Sequence, residues 1–272
     1  MLFLAHSHPE VSDGWGYHIR PIHYYEPLPD FRSITSEQLN RRREFPSIDF
    51  RWEQQLNLLH KLAGCHDELL KIDRAYFDND YFNGFDAAVY YSLIRHLRPK
   101  RIVEIGSGYS TRIASEALAR NGDGRLTCIE PHPERLNGQR LNVELIQKRV
   151  EELDVDFFSR LEADDILFID SSHTVKFGSD VCYEFLEVLP TLRSGVWVHV
   201  HDIFFPHDYP AEWLLKRRLA LNEQYLLEAF LSFNNAFAVA LANHWLTLDH
   251  ASVVKQLWSG ECSSSSFWFY KR

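Results

Sequence analysis

One stretch limits what this chain can fold into more than any other: Arg101 to Thr111, RIVEIGSGYST, an apolar run that ends in an acid and opens into a glycine loop. Ile102, Val103 and Ile105 are branched at Cβ and follow Arg98-Pro99-Lys100, a breaker that stops a helix and lets the chain enter a buried parallel strand. Gly106 and Gly108 permit positive φ and carry no Cβ, so a ligand can lie against bare main chain. Ser110 or Thr111 is placed to cap the next helix, whose apolar face holds Ile113, Ala114, Ala117 and Leu118. Strand, tight turn and helix start therefore succeed one another, with the helix N-terminus aimed at the ligand.

A dinucleotide site asks for Gly-x-Gly-x-x-Gly, because a third glycine lets helix and strand close around a pyrophosphate. Here the third position is Thr111, and Glu104 inside the motif favours a cationic ligand over a phosphate. Glu104-Ile105-Gly106-Ser107-Gly108 resembles the nucleotide loop of class I S-adenosylmethionine-dependent methyltransferases, whose cofactor carries a sulfonium and an ammonium but no phosphate. The resemblance extends through the Asp78 to Phe85 turn, the helix from Ala87 to Leu97 and the Arg98-Pro99-Lys100-Arg101 breaker. His23-Tyr24-Tyr25, Phe233-Asn234-Asn235-Ala236-Phe237 and the aromatic end Phe267 to Tyr270 resemble a bacterial subgroup of these proteins, so the likeness covers nearly the whole chain.

At 272 residues with 45% hydrophobic and 25% charged side chains, the chain can bury one sizeable core plus an extension. A net charge of -9 argues against a nucleic-acid substrate, since such affinity comes from neutralising phosphates. Cys65, Cys128, Cys182 and Cys262 are scattered without a Cys-x-x-Cys pair, as reduced thiols in the cytoplasm would be. Met1 to Ala5 is apolar but is cut short by His6, Ser7, His8 and Pro9, so neither an export signal nor a membrane span is expected.

The first fifty residues are broken by Pro21, Pro27, Pro29 and Pro46, yet Tyr17, His23, Tyr24, Tyr25 and Phe31 are dense enough to expect packing over the main domain, either as a lid or as a structural wrap. The irregularly spaced His6, His8, His18 and His23 do not read as a metal site. Residues 1 to 77 are taken as this extension, ending in a helix with Trp52, Leu56, Leu59 and Leu62 on one face, and 78 to 272 as the methyltransferase-like domain.

Further strands are expected at Arg125 to Glu130, Val143 to Ile146, Asp164 to Asp170 and Gly195 to Asp202, with a helix from Asp180 to Leu189. Trp213 to Leu221 reads as a helix, Tyr225 to Phe233 as the sixth strand or its approach, and Ala236 to Trp245 as an apolar helix. Phe267 to Tyr270 reads as a terminal strand after the Ser263 to Ser266 turn, while Glu151-Glu152 reads as a solvated turn face.

Ligands bind beyond the carboxyl ends of strands in open α/β sheets, so Asp170, His173, His201 and Asp202 should share a cleft with the glycine loop. In one reading His201 or His173, with Asp202 beside it, is a general base that takes a proton from the acceptor as the methyl group moves. In the other, Asp170, His201 and Asp202 hold a divalent cation, as in related metal-dependent O-methyltransferases; a histidine where those relatives tend to carry an acid suits zinc, iron or manganese better than magnesium. His199, on the same strand face as His201, reads as a buried structural residue, and His207 with Asp208 could join the site from a Pro-bounded loop.

The resemblance implies a Rossmann-like α/β fold, a seven-stranded and mostly parallel sheet of order 3-2-1-4-5-7-6, with the N-terminal extension against it. It implies S-adenosylmethionine as cofactor, seated by Glu104, Gly106, Ser107, Gly108, Ser110, Thr111, Glu130, Pro131, Asp170 and Ser171, with Glu130 on the ribose hydroxyls. The expected enzyme methylates a hydroxyl or amine of a small-molecule or sugar acceptor, with no nucleic-acid or membrane partner and a homo-oligomer left open. The alternatives are a redox or hydrolytic metal enzyme on this fold and a cofactor-binding protein without turnover.

Overall fold

Alternation along the central strand decides which layer each side chain joins. In β1 (Arg101–Ile105), Ile102 and Glu104 face one way and Val103 and Ile105 the other, and every residue after Arg101 is buried. A computed structural model, which describes residues 13–77, 79–82, 84–136, 141–260 and 263–272, pairs β1 in parallel with β2 (Arg125–Ile129) and β4 (Ile166–Ile169). β3 (Glu144–Ile146) joins β2, and β5 (Trp197–Val200) joins β4, again in parallel. β7 (Phe267–Lys271) lies antiparallel between β5 and β6 (Phe237–Ala242), which completes a seven-stranded sheet of order β3-β2-β1-β4-β5-β7-β6. This is the Rossmann-like sheet that the sequence implied.

Two apolar layers cover it. On the face of Ile102, Cys128, Ile166 and Phe168 lie α1 (Trp52–Leu62), α2 (Gly84–Leu97) and α3 (Tyr109–Asn121). The opposite face, with Val103, Ile105, Leu167 and Ile169, is covered by Phe158, Val181, Phe185 and Val188. Each fully buried leucine, isoleucine or phenylalanine in these layers contributes about 1.5–3 kcal/mol by leaving water. The first three turns of α2 are buried on every side, as befits a helix held between the sheet and α1. The second layer includes a helical run of three stretches, Asp180–Tyr183, Glu184–Val188 with wider π-type turns, and Leu189–Thr191.

The sequence reading mistook two elements. Tyr225 to Leu231 lies in a helix, α4 (Glu223–Leu231), and Ala236 to Trp245 is not one helix but β6 followed by α5 (Asn243–Asp249). Leu227 and Leu231, one helical turn apart, bury the core side of α4. The run Phe237–Ala242 is apolar at every position, so it shows no period of its own, and pairing with β7 decides its state. The helix expected over Trp213 to Leu221 is shorter and earlier, Ala211–Leu215.

The chain divides into two compact units, one of residues 42–208 with 221–272, which holds the sheet, and one of 1–41 with 209–220. Residues 42–77, grouped by the sequence reading with the extension, thus pack within the larger unit. In the smaller, Thr35 caps a turn at Ser36–Leu39 and Arg218 lies 4.6 Å over the Phe31 ring. Tyr17, Tyr24 and Tyr25 in it are exposed, and the ring of Tyr25 lies against those of His23 and Tyr24. Cys65, Cys128 and Cys182 are free thiols. Met1 to Ala5, His6, His8, Asp78, Asn83 and Cys262 lie outside the described residues. Among the described residues no helix is long and apolar enough to cross a membrane.

Candidate active site

Gly106 is where three strand ends meet. Its N–H donates to the Ile129 carbonyl and the Asp170 N–H donates to the Ile105 carbonyl, both at 3.0 Å. Its φ is 96°, and a Cβ there would collide with the Asp170 carbonyl oxygen, so only glycine lets the ends of β1, β2 and β4 close together. Gly108 is the N-cap of α3 and donates its N–H to Thr111 Oγ1 at 2.9 Å, whose hydroxyl donates in turn to Glu104 Oε2 at 2.6 Å. Threonine replaces the dinucleotide glycine because its hydroxyl ties the loop to the strand acid. Ser110 and Thr111 accordingly sit buried inside the first turn and are not the cap.

Glu104 lies on the α3 side of the sheet, fully buried, and also accepts from Cys128 Sγ at 3.4 Å. Burial lifts its carboxyl to about 7 against the hydrogen bonds from Thr111, Ser110 and Cys128. It stands behind the loop rather than in the cleft.

That cleft, of about 610 Å³, opens at the carboxyl ends of β1, β2 and β4, and Gly106, Glu130, Pro131, Asp170 and Ser171 line it as the sequence led one to expect. Its size is that of a small-molecule site. Glu130 Oε1 accepts from the His132 N–H at 2.7 Å, which holds its carboxylate at the rim. Glu151 and Lys176 line the cleft as well, although Glu151 was read as a solvated turn. Ser107 Oγ is buried beside the glycine loop with no hydrogen-bond partner, an orphan that a polar ligand in the cradle would satisfy. Bare main chain at Gly106, an open acid at Glu130 and this hydroxyl fit the adenosine and amino-acid portions of S-adenosylmethionine.

Beside the cleft the four residues singled out on β4 and β5 come together. Asp170 Oδ1 lies 3.3 Å from His173 Nε2 and 3.5 Å from His201 Nδ1. Asp202 lies 3.4 Å from each of the same two nitrogens. Burial alone would strip the charge from each of these groups, but the pairing outweighs it. The imidazoles of His201 and His173 hold Asp170 well below the carboxylate range, the hydrogen bonds of Asp170 and Glu223 hold His173 well above the ordinary histidine value, and the Asp202 and Asp170 carboxylates bring His201 to about 9. His199 is the structural histidine expected: fully buried, stacked 3.8 Å from Phe168, hydrogen-bonded to Ser266 Oγ at 2.8 Å and held uncharged by burial and by the neighbouring His201 charge.

For the metal reading, Asp170, His201 and Asp202 lie together around the His173 ring. Among the described residues no three His, Cys, Asp or Glu side chains are disposed to hold a metal ion, and the His173 ring occupies the space between the two aspartates. His207 and Asp208 stay apart, the first facing the His244 ring and the second 3.8 Å from Arg43.

Three participants were missed. Glu223 Oε2 hydrogen-bonds His173 Nδ1 at 2.7 Å, Glu184 Oε2 accepts from Ser171 Oγ at 3.0 Å, and Ser265 Oγ donates to Asp202 Oδ1 at 3.1 Å while lying 3.4 Å from His201 Nε2. Glu184 is a polar residue among the apolar buried positions Phe185 and Val188 of its helical run, which was the one signal available for it; Glu223, beside the equally buried Gln224 at the start of α4, gave none.

Residues 103–203 match the family model of a methyltransferase domain. The chain is 33% identical over 162 residues to an uncharacterized protein of Archaeoglobus fulgidus, a match that spans 52% of this chain and 73% of that one. Among solved structures it is similar to an O-methyltransferase of Streptomyces achromogenes involved in tomaymycin synthesis, in complex with SAM, at 18% identity and a TM-score of 0.44 over 78% of this chain and 88% of that one. An O-methyltransferase of Bacillus cereus in complex with SAH is similar at 13% identity and a TM-score of 0.40, over 80% and 90% of the two chains. Structural likeness at this level carries no argument of its own.

Proposed function

Because this chain belongs to the class I S-adenosylmethionine-dependent methyltransferases, we propose that it transfers a methyl group to a hydroxyl or amine of a small-molecule or sugar acceptor. The observation that carries this reading is the adjacency, at one edge of the sheet, of a glycine-loop cleft and a buried cluster of acids and imidazoles that share Asp170.

When bound, the cofactor supplies a methyl group made electrophilic by its sulfonium. Glu130 would accept from the ribose hydroxyls, Gly106 and Gly108 would bring main chain against the ligand, and Ser107 would give its hydroxyl the partner it lacks. Alignment does most of the work in such a transfer, and one base removes the acceptor's proton. His201 suits that task. Its Nδ1 is held by Asp170 and Asp202, which leaves Nε2 as the nitrogen to receive a proton.

Initial rates should therefore rise with pH towards about 9 as His201 loses its proton, and a profile already flat at neutral pH would move the base role to Asp202. The experiment is incubation with methyl-labelled S-adenosylmethionine and phenolic, carbohydrate and amine acceptors. Label should pass to one class, and His201→Gln should abolish transfer while keeping cofactor binding. No labelled product from any class, with protein shown to bind the cofactor, would contradict the proposal.

A further inference from the structure

Asp170 and Asp202 bring two carboxylates to the ends of adjacent strands, and a partly buried pair of like charges needs a positive charge between them. The His173 ring lies there, with Nε2 3.3 Å from Asp170 and 3.4 Å from Asp202, and Nδ1 2.7 Å from Glu223. Both ring nitrogens thus face carboxylate oxygens. Burial pushes the Glu223 carboxyl up while the His173 ring pulls it down; with all three carboxylates ionised, which only accept hydrogen bonds, both nitrogens carry hydrogen and the ring is an imidazolium.

The surrounding backbone is built to keep the ring in place. His173 has a left-handed φ of 56°, its carbonyl accepts from the N–H groups of Asn222 and Glu223 at 3.1 and 3.3 Å, and Asn222 Oδ1 accepts from the Val175 N–H at 2.6 Å. Glu223, fully buried in the first turn of α4, is therefore fixed to the loop by main chain as well as side chain. The other titratable groups nearby are His201, which also contacts both aspartates, and Glu184, whose carboxyl burial and the Glu223 and Asp180 charges push well above the usual range.

We infer that His173, oriented by Glu223, is a resident cation that takes the place between Asp170 and Asp202 where a divalent ion would otherwise sit, which makes Glu223 a positioning residue of a metal-independent site. That role has meaning only if the methyl-transfer reading holds, whereas the cation can be measured by itself.

The test uses full-length, chelator-treated protein labelled with ¹⁵N at histidine and examined by long-range proton–nitrogen spectra at neutral pH, with Mn²⁺ as the probe ion. His173→Asn identifies the signal, since asparagine tolerates a left-handed backbone. In the wild type both His173 nitrogens should be protonated, and an equivalent of Mn²⁺ should leave the His173 and His201 signals sharp. Glu223→Gln should shift the ring towards its neutral form, a change that a purely structural contact would not produce. Folded His173→Asn, having lost its cation, should take up Mn²⁺ stoichiometrically by calorimetry.

A neutral wild-type ring, Mn²⁺ broadening of both histidines, or a folded His173→Asn that takes up no Mn²⁺ would each overturn the inference. If that variant does not fold, the wild-type and Glu223→Gln spectra decide alone. Cofactor binding measured on the same samples tests the functional reading separately, because its loss would leave the charge of His173 unchanged.

Discussion

Glu104 and Glu130 stand at the ends of neighbouring strands, yet the fold makes opposite uses of them. Burial raises the Glu104 carboxyl from 4.5 to about 7, so between those values the folded chain keeps a proton that the unfolded chain releases. The stability it contributes is whole below 4.5 and is lost as pH rises through 7, a change of about 3 kcal/mol. Glu104→Gln should flatten this dependence: urea unfolding should find it gaining on the wild type in mildly alkaline buffer and not in acid, and parallel curves would contradict the assignment. Glu130 faces the cleft, and Glu130→Ala should weaken S-adenosylmethionine binding by about tenfold to a hundredfold, the worth of hydrogen bonds to a charged acceptor; unchanged affinity by calorimetry would remove its ribose role. Glu130, Gly106 and Asp170 were legible in the sequence because each sits at a strand end, where position along the chain dictates position in the cleft. Glu223 and Ser265 were not, because they reach His173 and Asp202 from segments distant in sequence.

Elements are held in register around the site by contacts that no local pattern announces. Asp86, buried in α2, accepts from Asn243 Nδ2 at 2.8 Å, Ser264 Oγ at 2.5 Å and the Ser265 N–H at 2.7 Å, and so joins α2 to the start of α5 and to the approach of β7. Asp86→Ala would leave those donors unpaired and should cost about 2–4 kcal/mol in urea unfolding. A loss within experimental error would mean that the Ser263 to Ser266 segment is held by other means. Gly106→Ala places a side chain against the Asp170 carbonyl and forces a positive φ on alanine, so it should abolish cofactor binding and lower stability by about 1–3 kcal/mol. The misreading of β6 and α4 belongs to this scale too. β1, β2 and β4 were readable because breakers and strand-end acids frame them, whereas β6 and α4 are apolar runs whose state depends on β7 and on the second core layer.

At the scale of the molecule, the strand order and the position of the cleft go together: β2 and β4 flank β1 in parallel, with β3 reached from β2 on one side and β4 crossing to the other, so the carboxyl ends of β1, β2 and β4 lie side by side. The order was implied by family resemblance and could not have been deduced from periodicity, which gives elements but not their neighbours. The two-unit division was not legible either, since residues 209–220 join 1–41 across most of the chain's length. The central claim is that the cleft at the glycine loop seats S-adenosylmethionine without help from a metal, and calorimetric titration of the cofactor and its demethylated product, with and without chelator, tests it most directly. Both should bind with the same affinity in either condition and neither should bind Gly106→Ala. Folded wild-type protein that binds neither ligand, or that binds only when chelator is absent, would contradict the account.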